Sequence, residues 1–331
     1  MINKIVLISF FLILITFNSC EKKDLEIDVE LEKQPSKLVV HSILKPFSFS
    51  SNNQLLTVEV QRTTPFDENK REVVIPDAIV TLSKNNCVLD TLIFNDSLKT
   101  YLIPYNSINK YPKQDDIFKL QVEKEGFETV TSKTIIPKKV EINNSKIIPI
   151  AYFDDNERPY SEASFEFTDP INEINYYEVI ISDITELENT FFELSTSNKI
   201  ITSESYYPSL LEFDKPKPKS LLFSDKIING KTVNINCYYL TPYMINEGVP
   251  KVISHYITIH LRNVTKEYYK YKTTALQLYY SLEENILYGS GEPVNIYSNI
   301  KNGYGLFGSY NYDVISHKID EIIIEWKIYL F

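Results

Sequence analysis

The sequence predicts a mainly β protein, in which a β-sandwich is followed by a larger β-rich region with one amphipathic helix. Two observations predict this class. Short segments in which apolar and polar residues alternate recur along most of the chain, and one stretch alone has a clear helical period. Hydrophobic residues make up 43% of the 331 residues and charged residues 24%, so the chain has enough apolar mass to build cores.

The charge balance is acidic, with 34 Lys and Arg against 44 Asp and Glu and a formal net charge of -10. Nucleic acids and anionic membrane faces recruit basic patches. The composition therefore argues against either of them as the main partner. At this length we expect two domains rather than one.

The first 19 residues have the pattern of a signal peptide. Lys4 supplies a short positive region, and residues 5–17 form an apolar run broken only by Ser9 and Thr16. A helix that spans a bilayer needs about 20 apolar residues, so the run is too short for one and fits a secretory leader.

A cysteine follows this leader directly. Ser19-Cys20 resembles a bacterial lipobox, in which the thiol takes a diacylglycerol and the cysteine becomes the mature N-terminus; Phe17 and Asn18 depart from the strict motif. We therefore expect Cys20 to be the lipid attachment site, and the alternative is a plain signal peptide with a chance cysteine. Each buried CH₂ of an acyl chain adds about 0.8 kcal/mol of membrane affinity, so two or more chains anchor firmly.

Residues 20–36 are predicted to be the lipidated cysteine and a flexible tether. Acidic and basic side chains alternate after Cys20 without aromatic residues, and Pro35 ends the run. Charge directly after the lipidated cysteine resembles the export signal of surface-exposed lipoproteins of Bacteroidota. That resemblance implies a domain at the cell surface.

Residues 37–139 have the pattern of an immunoglobulin-like or transthyretin-like β-sandwich. Strands are expected at 38–44, 55–60, 78–94, 117–122 and 127–136. The third of these segments has Lys84-Asn85-Asn86 in its middle and is predicted to be a hairpin, because Asn tolerates a positive φ in tight turns.

Residues 140–331 form the larger β-rich region. Strands are expected at 164–169, 175–182, 190–196, 233–240, 252–262 and 321–331. The helix is predicted at about 265–282, where apolar residues form one stripe and Thr265 is a candidate N-cap. We expect this stripe to pack against the sheet, and a partner-binding face is the alternative.

The sequence contains few residues in patterns that support catalysis. Cys87 and Cys237 are expected to be two separately buried thiols, and the alternative is a disulfide between them. His255 and His260 lie five positions apart on one predicted strand, so they point to opposite faces and do not form a shared metal site. No nucleophile elbow, zinc-protease motif or EF-hand loop occurs. We expect no enzymatic activity and no cofactor, although a dispersed Ser-His-Asp triad stays open.

The most specific signal is the segment from Glu292 to Gly308, EPVNIYSNIKNGYGLFG. Five of the eight glycines of the chain lie at positions 289, 291, 303, 305 and 308. The segment resembles the hallmark of the lipoprotein family known as domain of unknown function 4249. The PDAIVTL segment at 76–82 and the EGFETVTSKTIIP segment at 125–137 agree with that family as well.

This resemblance implies an outer-membrane lipoprotein, often encoded beside a TonB-dependent transporter, with no assigned ligand or reaction. It brings no catalytic residues with it. The hallmark is either a structural turn or a contact loop for a ligand or partner. In the second case the candidate contact residues are Asn299, Asn302, Gly303, Tyr304, Gly305 and Phe307.

The favoured function is a non-catalytic surface lipoprotein of the outer membrane that acts as an accessory or ligand-capture partner of such a transporter. The alternative is a structural or assembly subunit of an envelope complex, in which tyrosine-rich patches contact other proteins. Tyr occurs 24 times and Trp once. Tyr is suited to contact surfaces because its ring is apolar and its tip polar.

Overall fold

The alternating segments form strands in the computed structural model, which describes residues 35–46, 56–64, 73–103, 112–184, 189–205, 217–246, 249–288 and 294–324. Strand makes up 55% of the structure and helix 9%, which confirms the mainly β class. The signal peptide at 1–19, Cys20 and nearly all of the tether lie outside the described residues. The sandwich assignment of residues 37–139 stays a prediction.

The described part of the first region contains eight strands whose apolar residues alternate inward. The hairpin is found where it is predicted, and Asn85 and Asn86 in its turn have φ values of 50° and 69°. The strands are β1 Leu38–Leu44, β2 Thr57–Arg62, β3 Val73–Val74, β4 Ile79–Lys84, β5 Cys87–Asn95, β6 Thr100–Leu102, β7 Ile117–Glu123 and β8 Val130–Ile135.

The described part of the second region contains eleven strands and two helices. The strands are β9 Asn143–Phe153, β10 Pro159–Thr168, β11 Tyr176–Ile184, β12 Asn189–Phe191, β13 Leu221–Ser224, β14 Thr232–Leu240, β15 Met244–Asn246, β16 Val249–Val252, β17 His255–Val264, β18 Tyr304–Ile319 and β19 Ile322–Ile323. The helices are α1 Lys199–Ser205 and α2 Lys266–Tyr288.

Several elements differ from the sequence prediction. The amphipathic helix α2 continues to Tyr288 instead of ending near 282, and the short helix α1 is not predicted at all. The hallmark segment enters β18, a strand of 16 residues that sequence analysis does not identify. Of the predicted terminal strand, Ile322–Ile323 forms β19, and residues 325–331 lie outside the described residues.

One sheet joins the two regions. Its strand order is β12-β11-β17-β18-β1-β2-β6-β5-β4-β7-β8, with β13 paired to β11 and β3 paired to β2. The junction is the parallel pair β1–β18, in which Val39 aligns with Tyr304 and Leu44 with Ser309. The predicted boundary at residue 139 therefore falls between β8 and β9 within one compact unit that begins at Ser36.

The two larger hydrophobic cores of the described residues lie along this sheet. The N-terminal core consists of buried residues from Leu38 to Ile136, together with Ile300 and Phe307. The C-terminal core lies between β11 and β17 on one side and the separate sheet β14-β10-β9 on the other. Phe165, Phe167, Tyr177 and Phe223 fill it with fully buried rings. Burial of a large apolar side chain stabilises the fold by about 1.5–3 kcal/mol, so both cores contribute strongly.

A polar ladder on β18 holds the connection between the two regions. The Ser309 hydroxyl donates to the carbonyl of Ile135, and Asn311 Nδ2 donates to the carbonyl of Pro137 at 2.9 Å. The Asp313 carboxylate accepts the backbone N–H of Ile142 at 2.9 Å. Alternate residues of a strand point to the same face, so these three side chains follow the connecting segment as it crosses the sheet.

Helix α2 begins as the sequence predicts. The backbone N–H of Tyr268 donates to Thr265 Oγ1 at 3.4 Å, which is the bond expected of an N-cap side chain. Tyr268 is 2% exposed and packs with Val264 and Leu306. Neither described helix has both the length and the apolar character needed to span a bilayer.

Asn311→Ala should weaken the fold, because it removes the donor that satisfies the carbonyl of Pro137. An unpaired buried polar group costs about 1–3 kcal/mol, and we expect a loss of that size in the free energy of unfolding measured by urea denaturation. Asn143→Ala, at an exposed strand position, is the matched control and should change stability by less than about 0.5 kcal/mol. Equal stabilities of the two variants would contradict the ladder.

Candidate functional site

The hallmark segment makes a turn and then enters β18. Asn302 occupies the left-handed region with a φ of 65°, and its Nδ2 donates to the carbonyl of Thr129 at 3.2 Å. Asn adopts this conformation more readily than most residues. Asn302 is exposed, so the turn lies at the surface while its side chain ties it to the segment before β8.

Asn299 holds the start of β18 with a reciprocal pair of hydrogen bonds. Its Nδ2 donates to the carbonyl of Phe307 at 2.7 Å, and its Oδ1 accepts the backbone N–H of Phe307 at 2.9 Å. The amide side chain thus satisfies the two backbone groups of Phe307 that a neighbouring strand would otherwise bind, because it offers one donor and one acceptor. Phe307 is fully buried in the N-terminal core and has no surface to offer a ligand.

The two glycines of the candidate set allow β1 to approach β18. A Cβ at Gly303 would lie 2.6 Å from the carbonyl oxygen of Leu38, and one at Gly305 would lie 2.1 Å from the carbonyl oxygen of Val40. Gly305 also has a φ of 113°, which side-chain-bearing residues rarely adopt. Both glycines therefore permit the close approach of the β1 backbone.

Tyr304 is the exposed aromatic residue among the six candidates. Its side chain is 49% exposed, and Lys37 Nζ lies 5.5 Å from the centroid of its ring. A lysine over a tyrosine ring at an exposed site contributes about 0.5–1 kcal/mol. Tyr304 is consequently available at the surface, whereas Phe307 and the glycines serve the fold.

A cleft of about 360 Å³ lies beside Asn299. Its lining residues come from β7, β8, the segment before β18 and the first turn of α2, and they are Lys119, Thr131, Ser132, Lys133, Glu267, Tyr297 and Asn299. Ser132 Oγ donates to the carbonyl of Asn299 at 2.9 Å and so fixes one wall. Of the six sequence candidates, Asn299 is the one that lines this cleft.

A second cleft of about 410 Å³ lies on the other side of the helix start. It shares Glu267 with the first cleft, and the segment 135–138 and the start of β11 contribute to its walls. Asn175 and Asn263 are buried there and bonded to each other, with Asn263 Nδ2 donating to Asn175 Oδ1 at 3.2 Å. The two clefts therefore meet at the first turn of α2.

A buried ion pair fixes the helix that separates the clefts. Arg262 Nη1 on β17 lies 2.8 Å from Glu178 Oε2 on β11, and Glu178 is 1% exposed. The Tyr268 hydroxyl on α2 donates to the same carboxylate oxygen at 2.8 Å, and the Arg262 guanidinium lies 4.4 Å from the ring centroid of Tyr310. Burial, and then the charge of Glu178, raises the pKa of Tyr268, which keeps its hydroxyl a donor.

The two histidines of β17 occupy opposite faces, as the alternation predicts. His255 is buried, and its Nδ1 lies 2.6 Å from the carbonyl oxygen of Ile253. His260 Nε2 lies 2.8 Å from Ser182 Oγ. Ser182 is only 2% exposed, so it is not placed as an accessible nucleophile. The nearby carboxylate of Glu178 is paired with Arg262.

One of the two cysteines is not buried as predicted. Cys237 is buried as expected, and burial raises the pKa of its thiol to about 12. Cys87 is exposed rather than buried, because it begins β5 directly after the hairpin turn. Both are free thiols. Within the described ranges, no group of three His, Cys, Asp or Glu side chains is arranged to hold a metal ion.

Sequence reasoning misses Lys119, Lys133, Tyr297 and Glu267 as a group. Alternation places Lys119 opposite Phe118 and Leu120, on the outer face of its strand, and this signal is visible in the sequence. Their convergence depends on how β7, β8 and α2 are brought together. No spacing within the sequence encodes that arrangement.

Gly305→Ala should destabilise the protein by more than about 3 kcal/mol, because the new methyl group meets backbone that has no room to move. Gly126→Ala is the matched control: Gly126 has a φ of 84°, and its Cβ would meet nothing within 4 Å. The control therefore carries only the cost of the left-handed conformation, about 1 kcal/mol. Urea unfolding of both variants measures the difference, and similar losses would show that β1 does not constrain Gly305.

His260 should make stability depend on pH. Burial, and then the charges of Arg262 and Lys45, lower the pKa of His260 from 6.5 to about 4, although Glu178 acts in the opposite direction. Between these values the unfolded chain binds more protons, so the free energy of unfolding falls as the pH drops through this window. The loss relative to His260→Gln should reach about 3 kcal/mol by pH 4. Parallel pH profiles for the two proteins would refute this role.

Comparison with known proteins identifies a family and little beyond it. A search of curated proteins finds no match. Among solved structures, the chain is similar to a crystal structure from Corynebacterium diphtheriae described as a proposed membrane-anchored protein, with 11% identity. The match covers 70% of this chain and 55% of that one with a TM-score of 0.18, a value too low to support an argument.

The family comparison covers most of the sequence. The model described as "Domain of unknown function (DUF4249)" matches residues 23–316. This range includes all of the N-terminal core, most of the C-terminal core, the helix α2 and the hallmark segment. The chain therefore belongs to the DUF4249 family.

Proposed function

We propose that the protein is a non-catalytic, lipid-anchored lipoprotein of the outer membrane that captures a ligand for a TonB-dependent transporter. The observation that carries this proposal is the order of segments at the N-terminus. An apolar run too short to span a bilayer ends at Phe17, three positions before Cys20; a charged run follows the cysteine, and the compact unit begins at Ser36. This order suits a folded body held on a lipid anchor by a solvated tether.

The clefts beside α2 support the capture role. Both are open and lined by mixed polar and apolar side chains, with about 360 and 410 Å³ of space. Pockets for small ligands lie mostly between 300 and 1,000 Å³, so each cleft has room for a small molecule or one end of a larger one. The transporter as partner rests on the family resemblance alone.

A second function is favoured by one surface. The small sheet β15-β16-β19 exposes Met244, Ile245, Val249 and Ile323, each between 44% and 67%. Clustered exposed apolar side chains mark surfaces that bind other proteins. This feature supports the alternative of a structural or assembly subunit of an envelope complex, which needs no small-molecule ligand.

Affinity purification of the full chain from detergent-solubilised outer membrane tests the proposal. We expect a TonB-dependent transporter to co-purify, and we expect metabolic labelling with palmitate to mark the protein. Cys20→Ala should abolish the label and release the protein from the membrane fraction. Cys87→Ala, which removes an exposed free thiol, should leave both unchanged.

Two results would count against this scheme. An unlabelled, freely released wild-type protein would refute the lipid anchor. Co-purification with envelope proteins but no transporter would refute the capture role and favour the assembly subunit.

A further inference from the structure

Two lysines face each other on the outer surface of the N-terminal region. Lys119 on β7 and Lys133 on β8 are partners in the antiparallel register, and both are exposed. Like charges directly opposite each other on neighbouring strands are destabilising. The net charge of the protein is -10, so two lysines side by side are unusual against the acidic character of the chain.

Nearby lysines have acidic partners, whereas these two have none among the described residues. Lys84 pairs with Asp116 at 2.7 Å and Lys124 with Asp77 at 2.6 Å. The partner of Lys119 on its other side, in β4, is the uncharged Ser83. The positive charge on this face is therefore not neutralised by an ion pair within the described part of the chain.

Both lysines line the 360 Å³ cleft, and two hydroxyl-bearing side chains line it as well. Thr131, two positions before Lys133 on β8, supplies one of them and Tyr297 supplies the other, and Lys270 Nζ lies 5.3 Å from the centroid of the Tyr297 ring. Glu267 also lines the cleft and pairs with neither lysine in the described structure. The cleft thus combines a pair of cations, nearby hydroxyl donors and one carboxylate.

We propose that this cleft binds a small anionic ligand whose phosphate or carboxylate group lies between Lys119 and Lys133. Charge-assisted hydrogen bonds from both ammonium groups would hold the anion and remove the repulsion between them. Glu267 would accept a hydrogen bond from a hydroxyl or ammonium group of the same ligand. The ligand class deepens the proposed capture role and rests on it, but anion binding by the purified protein is measured without any transporter.

Calorimetric titration of the purified full chain tests the site, with inorganic pyrophosphate and citrate as probes. We expect dissociation constants of about 1 mM or tighter at low salt, weakening as salt is raised. Lys119→Gln and Lys133→Gln should each weaken binding at least about tenfold, which corresponds to 1.4 kcal/mol. Lys146→Gln, an exposed strand lysine outside the cleft, is the matched control and should leave binding unchanged.

Thermal unfolding without a probe gives an independent readout. Lys119→Gln removes the repulsion, so its unfolding midpoint should rise by about 1–3 °C, while the midpoint of Lys146→Gln stays at the wild-type value. In the presence of pyrophosphate the wild type should gain stability and Lys119→Gln should not.

Three results would overturn the proposal. A specific site would be excluded if both probes failed to bind at about 10 mM, because a dissociation constant of that size corresponds to a binding free energy of only about 2.7 kcal/mol. Equal anion affinity in wild type and Lys119→Gln would place the anion elsewhere. Binding to phosphatidylglycerol vesicles without any response to pyrophosphate or citrate would assign the lysines to a lipid surface.

Discussion

The parallel contact between β1 and β18 is the constraint on which the rest of the structure depends. The two backbones lie so close that no Cβ fits at Gly303 or Gly305. β1 carries Leu38 and Val40 into the N-terminal core, while β18 contributes Phe307 to that core and Ile319 to the other. The contact therefore joins two cores that the order of segments along the chain would leave apart.

Buried polar side chains also connect the elements around this contact. The ladder on β18 holds the connecting segment, and the carboxylate of Glu178 links β11, β17 and α2 through Arg262 and Tyr268. A buried ion pair adds little net stability, because desolvation offsets the attraction, but its geometry is strict and breaking it is costly. Its value here is positional: it sets where the first turn of α2 lies, and thus where Glu267 meets the clefts.

Much of the secondary structure follows from the sequence. Alternation locates β1 at its observed bounds and the hairpin of β4 and β5 with its Asn85-Asn86 turn, and Thr265 marks the start of α2. β18 escapes detection because its glycines are typical of turns, and their cause is a neighbouring backbone that no local pattern reveals. The side chains of the first cleft escape for a similar reason. Lys119 and Glu267 lie far apart in the chain, and only the register of β7 and β8 and the placement of α2 bring them together.

The pairing of β1 with β18 also has a consequence for biogenesis. Ribosomes deliver a chain from its N-terminus, so β1 emerges long before its parallel neighbour exists. Until then one side of β1 is an open edge, with unpaired backbone groups that can template aggregation. Contacts between distant positions also slow folding, because the entropy of closing a long loop is lost before the pairing contributes any stabilising free energy. The nascent polypeptide is thus exposed to aggregation through β1 until the last quarter of the chain has been made, and a chaperone that covers this edge would prevent it.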